Sequence, residues 1–333
     1  MQDGWSKEKI GSHIVRNNTI YNCEQTGMCG SLGAAFSQIT NNNIFNIWTK
    51  RLFTGAEIAG IKIHASIDML IKNNRLANTG RGLWMDWMAQ GTHIACNLCY
   101  NNTLEDLYCE VDHGPYLVDN NIFLSEVGLR DWSEGGAFIH NLFTGKIIRS
   151  PDSRTTPYHK PHSTEVIALK NLRGGDNRFY NNIFVAGYAP LPVPAYNNTV
   201  QRRTGYGLDI YTDAELPMYV DGNVYYKGAK PFGTETNSIN EAGFDPQIRI
   251  TEEGENVYLY IILEKSYKTL KNKLITTQDL GRAMIPDQAY ENPDGSPLRI
   301  DTDYSGNKRN DKKPSAGPFE NPVVGKELKL KVW

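Results

Sequence analysis

The sequence predicts an all-β chain wound as a parallel β-helix, on the strength of three observations. A phrase of the form Asn-x-apolar-apolar keeps returning: "NTIY" at 18, "NNIF" at 42, "NRLA" at 74, "NLCY" at 97, "NNIF" at 120 and "NLFT" at 141. The steps are 24, 32, 23, 23 and 21 residues. The segments between are short, rich in Ile, Val, Phe and Tyr, and punctuated by Asn and Gly, while 3.6-residue periodicity is scarcely visible. A period near 22 residues with strand chemistry fits one rung of a solenoid per repeat. Leucine-rich repeats require a regular Leu pattern that is absent. Propeller blades of about 40–45 residues suit only the later, longer gaps.

Taken in order, the repeats place the solenoid and its groove at 1–228, where "NIFV" at 182 and "GNVYY" at 222 are the last rungs. The recurrent Asn suits a turn, since Asn tolerates the left-handed conformation and bonds the backbone. Stacked rung on rung, these residues should form an internal Asn ladder. Beyond 228 the phrase disappears, and 229–290 reads as a β-rich appendage. Within it "QIRITEEGENVYLYIILE" (247–264) alternates around an acidic Gly turn, a hairpin signature. The Pro-, Gly- and Lys-rich segment 291–333 is expected to return as closing β-helix strands and a tail.

Composition narrows the function. The 333 residues carry a formal charge of −2, without a polybasic run, so no nucleic-acid partner is indicated. No apolar stretch is long enough to span a bilayer, and the first residues lack the apolar core of a secretion signal. With only five cysteines, an odd and sparse set, the chain does not read as a disulfide framework. Cys96-x-x-Cys99 lacks the second pair that a zinc site would need, so these read as buried thiols. This favours a cytoplasmic location.

Counting back from the anchor Asn aligns Gly60–His64, Gly82–Asp86 and Asp106–Glu110. Alternation along a strand puts Ile61, Ile63, Leu83, Met85, Leu107 and Cys109 inside. Lys62 and His64, Trp84 and Asp86, and Tyr108 and Glu110 then face outward, with Asp112 continuing outward. Asp86 and Glu110 thus occupy one position on consecutive rungs, about 4.7–4.9 Å apart along the sheet. That is close to the ~5–5.5 Å used by a nucleophile and an acid/base, and short of the roughly 6.5–9.5 Å that leaves room for a water. Acids on an outer face are ordinarily just solvated. Here Trp84, Trp87 and Tyr108 offer a face to a sugar ring, and Lys62 and His64 lie one rung away.

Other residues weigh in around this pair. Glu57, before its strand, is placed to fold over the groove and bind a sugar hydroxyl, and His113 to line it. Arg130, Asp131, Trp132 and Glu134 either extend the groove or form an Arg–acid pair at a turn. The polar, Pro-rich insertion 149–165 suits a loop over one edge. Its His159-x-x-His162 spacing does not by itself carry a metal site, and no cofactor is implied.

The stretches "GAEIAGIKIHASIDMLIKNN", "GRGLWMDWMAQGT", "EVDHGPYLVDNNIFLS" and "LRDWSEGGAFIHNLFTGKI" resemble glycoside hydrolase family 120. The resemblance runs along nearly the whole chain, most specifically over 11–165. It implies a right-handed parallel β-helix with an associated β-sandwich, and a retaining β-xylosidase acting on xylo-oligosaccharides. It places the nucleophile at Asp86, the acid/base at Glu110, and Glu57 in the same site. Family members are longer, so an N-terminally truncated chain is expected, associating with the missing portion or with copies of itself. Two other readings fit the solenoid: another β-helix carbohydrate enzyme (a polysaccharide lyase or pectin hydrolase), or an inactive fragment that binds glycans or proteins. A lyase typically pairs a carboxylate cluster for Ca²⁺ with a basic residue. Here the carboxylates are matched with aromatics.

Overall fold

A computed structural model describes residues 4–53, 55–150, 153–187 and 203–333. The chain forms a right-handed parallel β-helix whose first six rungs each contribute one strand to each of three sheets, and whose later rungs extend only the first two in parallel. The first sheet runs from Ile14–Arg16 to Tyr219–Asp221 and the second from Thr19–Tyr21 to Ile239–Glu241. The third contains Thr26–Gly30, Ala59–His64, Arg81–Asp86, Leu107–Glu110, Val127–Trp132 and Lys146–Arg149. Arg203–Gly205 joins its last edge antiparallel.

The Asn phrase performs two jobs, on adjacent residues. The residue before each anchor takes the left-handed turn: Asn17, Asn41, Asn73, Cys96, Asn120, His140 and Asn181 have φ between 53° and 59°. The anchors that follow stack as a ladder. The Asn18 amide donates to Oδ1 of Asn42, and the pattern continues through Asn74, Asn97, Asn121, Asn141, Asn182 and Asn223. In "NNIF" at 120 the ladder residue is therefore the second Asn. Each internal amide also caps a backbone carbonyl of an adjacent rung, as Asn97 Nδ2 does at Ile71 O, so buried polar groups are paired where the chain turns. Inside, Phe123, Phe143, Phe184 and Tyr225 stack with ring centroids 5.1–5.4 Å apart.

Residues beyond the last rung determine which outer face stays open. The expected hairpin is present as Arg249–Glu253 and Asn256–Ile262. Glu327–Lys331 pairs antiparallel with the second of these, so the final segment completes the appendage sheet and does not add closing strands to the solenoid. Val257, Leu259 and Ile261 of this sheet pack on Leu98, Tyr100, Ile122 and Leu142, covering the second sheet as one half of a sandwich. Ile275, Leu280, Tyr290 and Ile300 cover the first sheet at Leu117, Ala137 and Ile139. Among the described residues, the groove opens on the outer face of the third sheet.

The insertion 149–165 is part of an antiparallel hairpin, Thr155–His159 with Val166–Asn171; its Pro151 and Asp152 lie outside the described residues. His159 is buried against the edge of Trp5. His162 bridges Asp68 and Glu291, joining hairpin, solenoid and C-terminal segment. No group of residues suited to a metal ion occurs among the described residues.

Candidate active site

The groove takes its chemistry from the strand register. Ala59–His64, Arg81–Asp86 and Leu107–Glu110 are consecutive parallel strands in which His64 opposes Asp86 and Asp86 opposes Glu110. One tier inward, Lys62 opposes Trp84 and Trp84 opposes Tyr108, while the intervening Ile63, Met85 and Cys109 are in the core. A cavity of about 650 Å³ opens over these tiers, lined by Glu57, Lys62, His64, Trp84, Asp86, Trp87, Glu110 and Trp132 among others.

Asp86 is held from the side of the preceding rung. Its Oδ2 lies 2.9 Å from Lys62 Nζ and 3.1 Å from His64 Nε2. Lys62, 1% exposed, also donates to Glu57 Oε1 at 2.7 Å. The longer 46–58 connection brings Glu57 over the groove, where the Cys29 thiol donates to its other oxygen at 3.1 Å. Burial pushes the Asp86 carboxyl above the usual range and the Glu110 charge adds to this, while the Lys62 hydrogen bond and charge oppose it. Burial also acts on Glu57, but hydrogen bonds from Lys62 and Cys29 and the Lys62 charge hold its carboxyl low. Burial and Glu57 push the Cys29 thiol up to about 11, which keeps it a protonated donor.

Glu110 is held from two other directions. Trp84 Nε1 donates to its Oε2 at 2.9 Å, and Arg154 Nη2, from the root of the hairpin, donates to Oε1 at 2.8 Å. Beneath it, cations and aromatics alternate. Arg81 lies over Trp84, and Arg130 is 4.1 Å from the Tyr108 ring and 3.8 Å from that of Trp132. Arg81 and Arg130 converge on Glu105, which fixes them as the floor. Guanidinium–ring contacts of this kind are directional and set the indole of Trp84 in the plane that reaches Glu110. Trp87, with φ 46° and 43% exposed, forms the lip.

Three expectations change. His113 does not line the groove: it is 2% exposed, with Nδ1 on Glu134 Oε1 at 2.5 Å and Nε2 on the Lys170 carbonyl. Strand alternation ends at Val111, whose φ of 65° turns the chain. Asp112 is consequently buried and accepts from Ala89 N. The Arg130–Glu134 cluster divides between the two environments. Arg130 and Trp132 face the groove, Asp131 is buried with Tyr211 and Asn177, and Glu134 ties His113 to Arg173 and Gly174. Arg154 was legible only as part of a polar insertion, and Arg81, which opens the strand ahead of the aligned Gly82–Asp86, was not singled out.

No protein-family model matches the chain. Among solved structures, it is similar to XylC in the complex of XylC with xylose, with a TM-score of 0.90 and 42% sequence identity. The match covers 100% of this chain and 53% of XylC, so the chain spans about half the length of that protein.

Proposed function

We propose that this chain carries the catalytic groove of a retaining glycoside hydrolase of the family 120 type, acting on β-xylosides such as xylo-oligosaccharides. The observation that carries the reading is the in-register pair Asp86–Glu110, on adjacent strands of the open face. Neighbouring strands lie about 4.8 Å apart, which suits direct attack by one carboxylate better than a water held between two. The likeness to a protein solved with xylose supports the choice of sugar.

In this reading Asp86, ionised and steered by Lys62 and His64, attacks the anomeric carbon. Glu110, carrying a proton, delivers it to the glycosidic oxygen as the carbon–oxygen bond breaks, and a glycosyl–Asp86 ester results. Glu110, now a carboxylate, takes a proton from water, whose oxygen attacks the same carbon and frees Asp86. The glycone lies on the Asp86 side, where Glu57 and Lys62 meet its hydroxyls. Trp84 and Tyr108 give the groove its aromatic wall.

The test is hydrolysis of a chromogenic β-xyloside with proton NMR of the first anomer released. Release of β-xylose supports retention. Release of α-xylose would assign inversion, and glycan binding without release would leave a binding solenoid.

A further inference from the structure

We propose that the leaving-group side of this groove takes a carboxylate-bearing sugar unit, of the uronic-acid type, and that Arg154 is the residue that reads it. The inference rests on the retaining-hydrolase reading above and deepens it.

The polarity of the groove follows from the register. Glu110 is flanked on one side by Asp86 and on the other by Trp132, as Cα partners in neighbouring strands. A sugar whose anomeric carbon faces Asp86 and whose glycosidic oxygen meets Glu110 must send its leaving group towards Trp132. That side is bounded by Trp132, Arg130, Arg154 and Thr155. It offers a ring face from Trp132 and the Arg154 fork above it, 5.8 Å from that ring.

In the resting groove Arg154 Nη2 donates to Oε1 of Glu110 at 2.8 Å. To act as the acid, Glu110 must carry a proton, and a neutral carboxyl group holds a guanidinium far less strongly than a carboxylate does. Each turnover therefore weakens this contact as the leaving group arrives. A carboxylate on the leaving group replaces Glu110 as partner to the Nη2 donor. Lysine would supply the charge without the planar fork that pairs with a carboxylate. Arg154 is half-exposed, so the gain is that of a partly screened contact.

The experiment compares a β-xyloside of a uronic acid with the methyl ester of the same compound, which keeps the shape and removes the charge. In the unmodified protein kcat/KM should favour the acid by about five- to tenfold, the scale of one charge-assisted hydrogen bond partly open to solvent. The preference should shrink as salt is raised. In Arg154→Gln the ratio should fall to near one, with Arg154→Lys between, and thermal melts report whether each variant is folded. An acid-to-ester ratio near or below one in the unmodified protein, or one that Arg154→Gln leaves unchanged, overturns the proposal. In that case ester hydrolysis keeps the hydrolase reading intact. Hydrolysis of neither compound, nor of the chromogenic β-xyloside, overturns both.

Discussion

Replacing Asn97 by alanine isolates what the internal amide ladder contributes to the rungs that carry the groove. Asn97 lies in the chain between Asp86 and Glu110 and is fully buried. Its Oδ1 accepts from the backbone N–H and the amide of Asn74 at 2.9 and 3.0 Å. Its Nδ2 donates to Ile71 O and Asn121 Oδ1 at 2.9 and 3.0 Å. At about 1 kcal/mol net for each of these contacts, the loss is about 4 kcal/mol. The buried Asn74 donors left without a partner raise it to about 6 kcal/mol. Asn18→Ala is the internal control. Asn18 is exposed at the first rung, and water replaces what its amide gives to Asn42 and Arg16, so the cost should stay below about 1 kcal/mol. Denaturant midpoints at constant m-value measure both. If Asn97→Ala costs no more than Asn18→Ala, the ladder is a by-product of the coil and does not hold its rungs together.

Three further outcomes follow from the groove and its supports. Asp86→Asn should abolish turnover, and Glu110→Gln should lower it by about 10²–10⁴-fold on substrates with poor leaving groups, with melting temperatures near that of the parent; full activity in either variant rejects the assignment. Lys62→Met removes the hydrogen bond and charge that oppose burial at Asp86. Asp86 then ionises only at higher pH, so, with Asp86 as the proposed nucleophile, the acidic limb of kcat/KM should move upward, and an unmoved limb denies Lys62 that part. At His162, burial disfavours the charge, but Asp68 and Glu291 outweigh it and raise the imidazole above its ordinary value. That stabilisation is complete below the unfolded-state value and lost as pH rises through the folded one. The melting-temperature gap between the parent and His162→Gln should accordingly be larger near pH 6 than near pH 9, and a gap independent of pH refutes the ion-pair account.

What the sequence disclosed about this site depended on how far apart the interacting residues are in rung number. A coil pairs each rung with the next, so aligning the repeats is enough to put Asp86 opposite Glu110 and His64 opposite Asp86. Which outer face stays open was written in the same rungs. The strands Leu98–Tyr100, Ile183–Val185 and Val224–Tyr226 are apolar at every position, as strands buried on both faces are, and the appendage covers them. Arg81–Asp86 and Leu107–Glu110 alternate apolar with polar or aromatic residues and border the groove. Contacts made by insertions obey no such count. Arg154 reaches Glu110 across 44 positions, and Glu57 reaches Lys62 only because one rung is longer than its neighbours. Asp112 was misplaced for a related reason, since alternation was carried past Val111, where the strand turns. The division has a chemical side. The proposed nucleophile and the proposed acid sit on the repeating scaffold, where stacking fixes their spacing. Lys62, Trp84, Tyr108 and Trp132 share that scaffold, whereas Glu57 and Arg154 sit on connections, where length and sequence can change without disturbing a rung. Differences in substrate between relatives of this chain should therefore concentrate at 46–58 and 153–171, while the spacing of Asp86 from Glu110 stays tied to the coil.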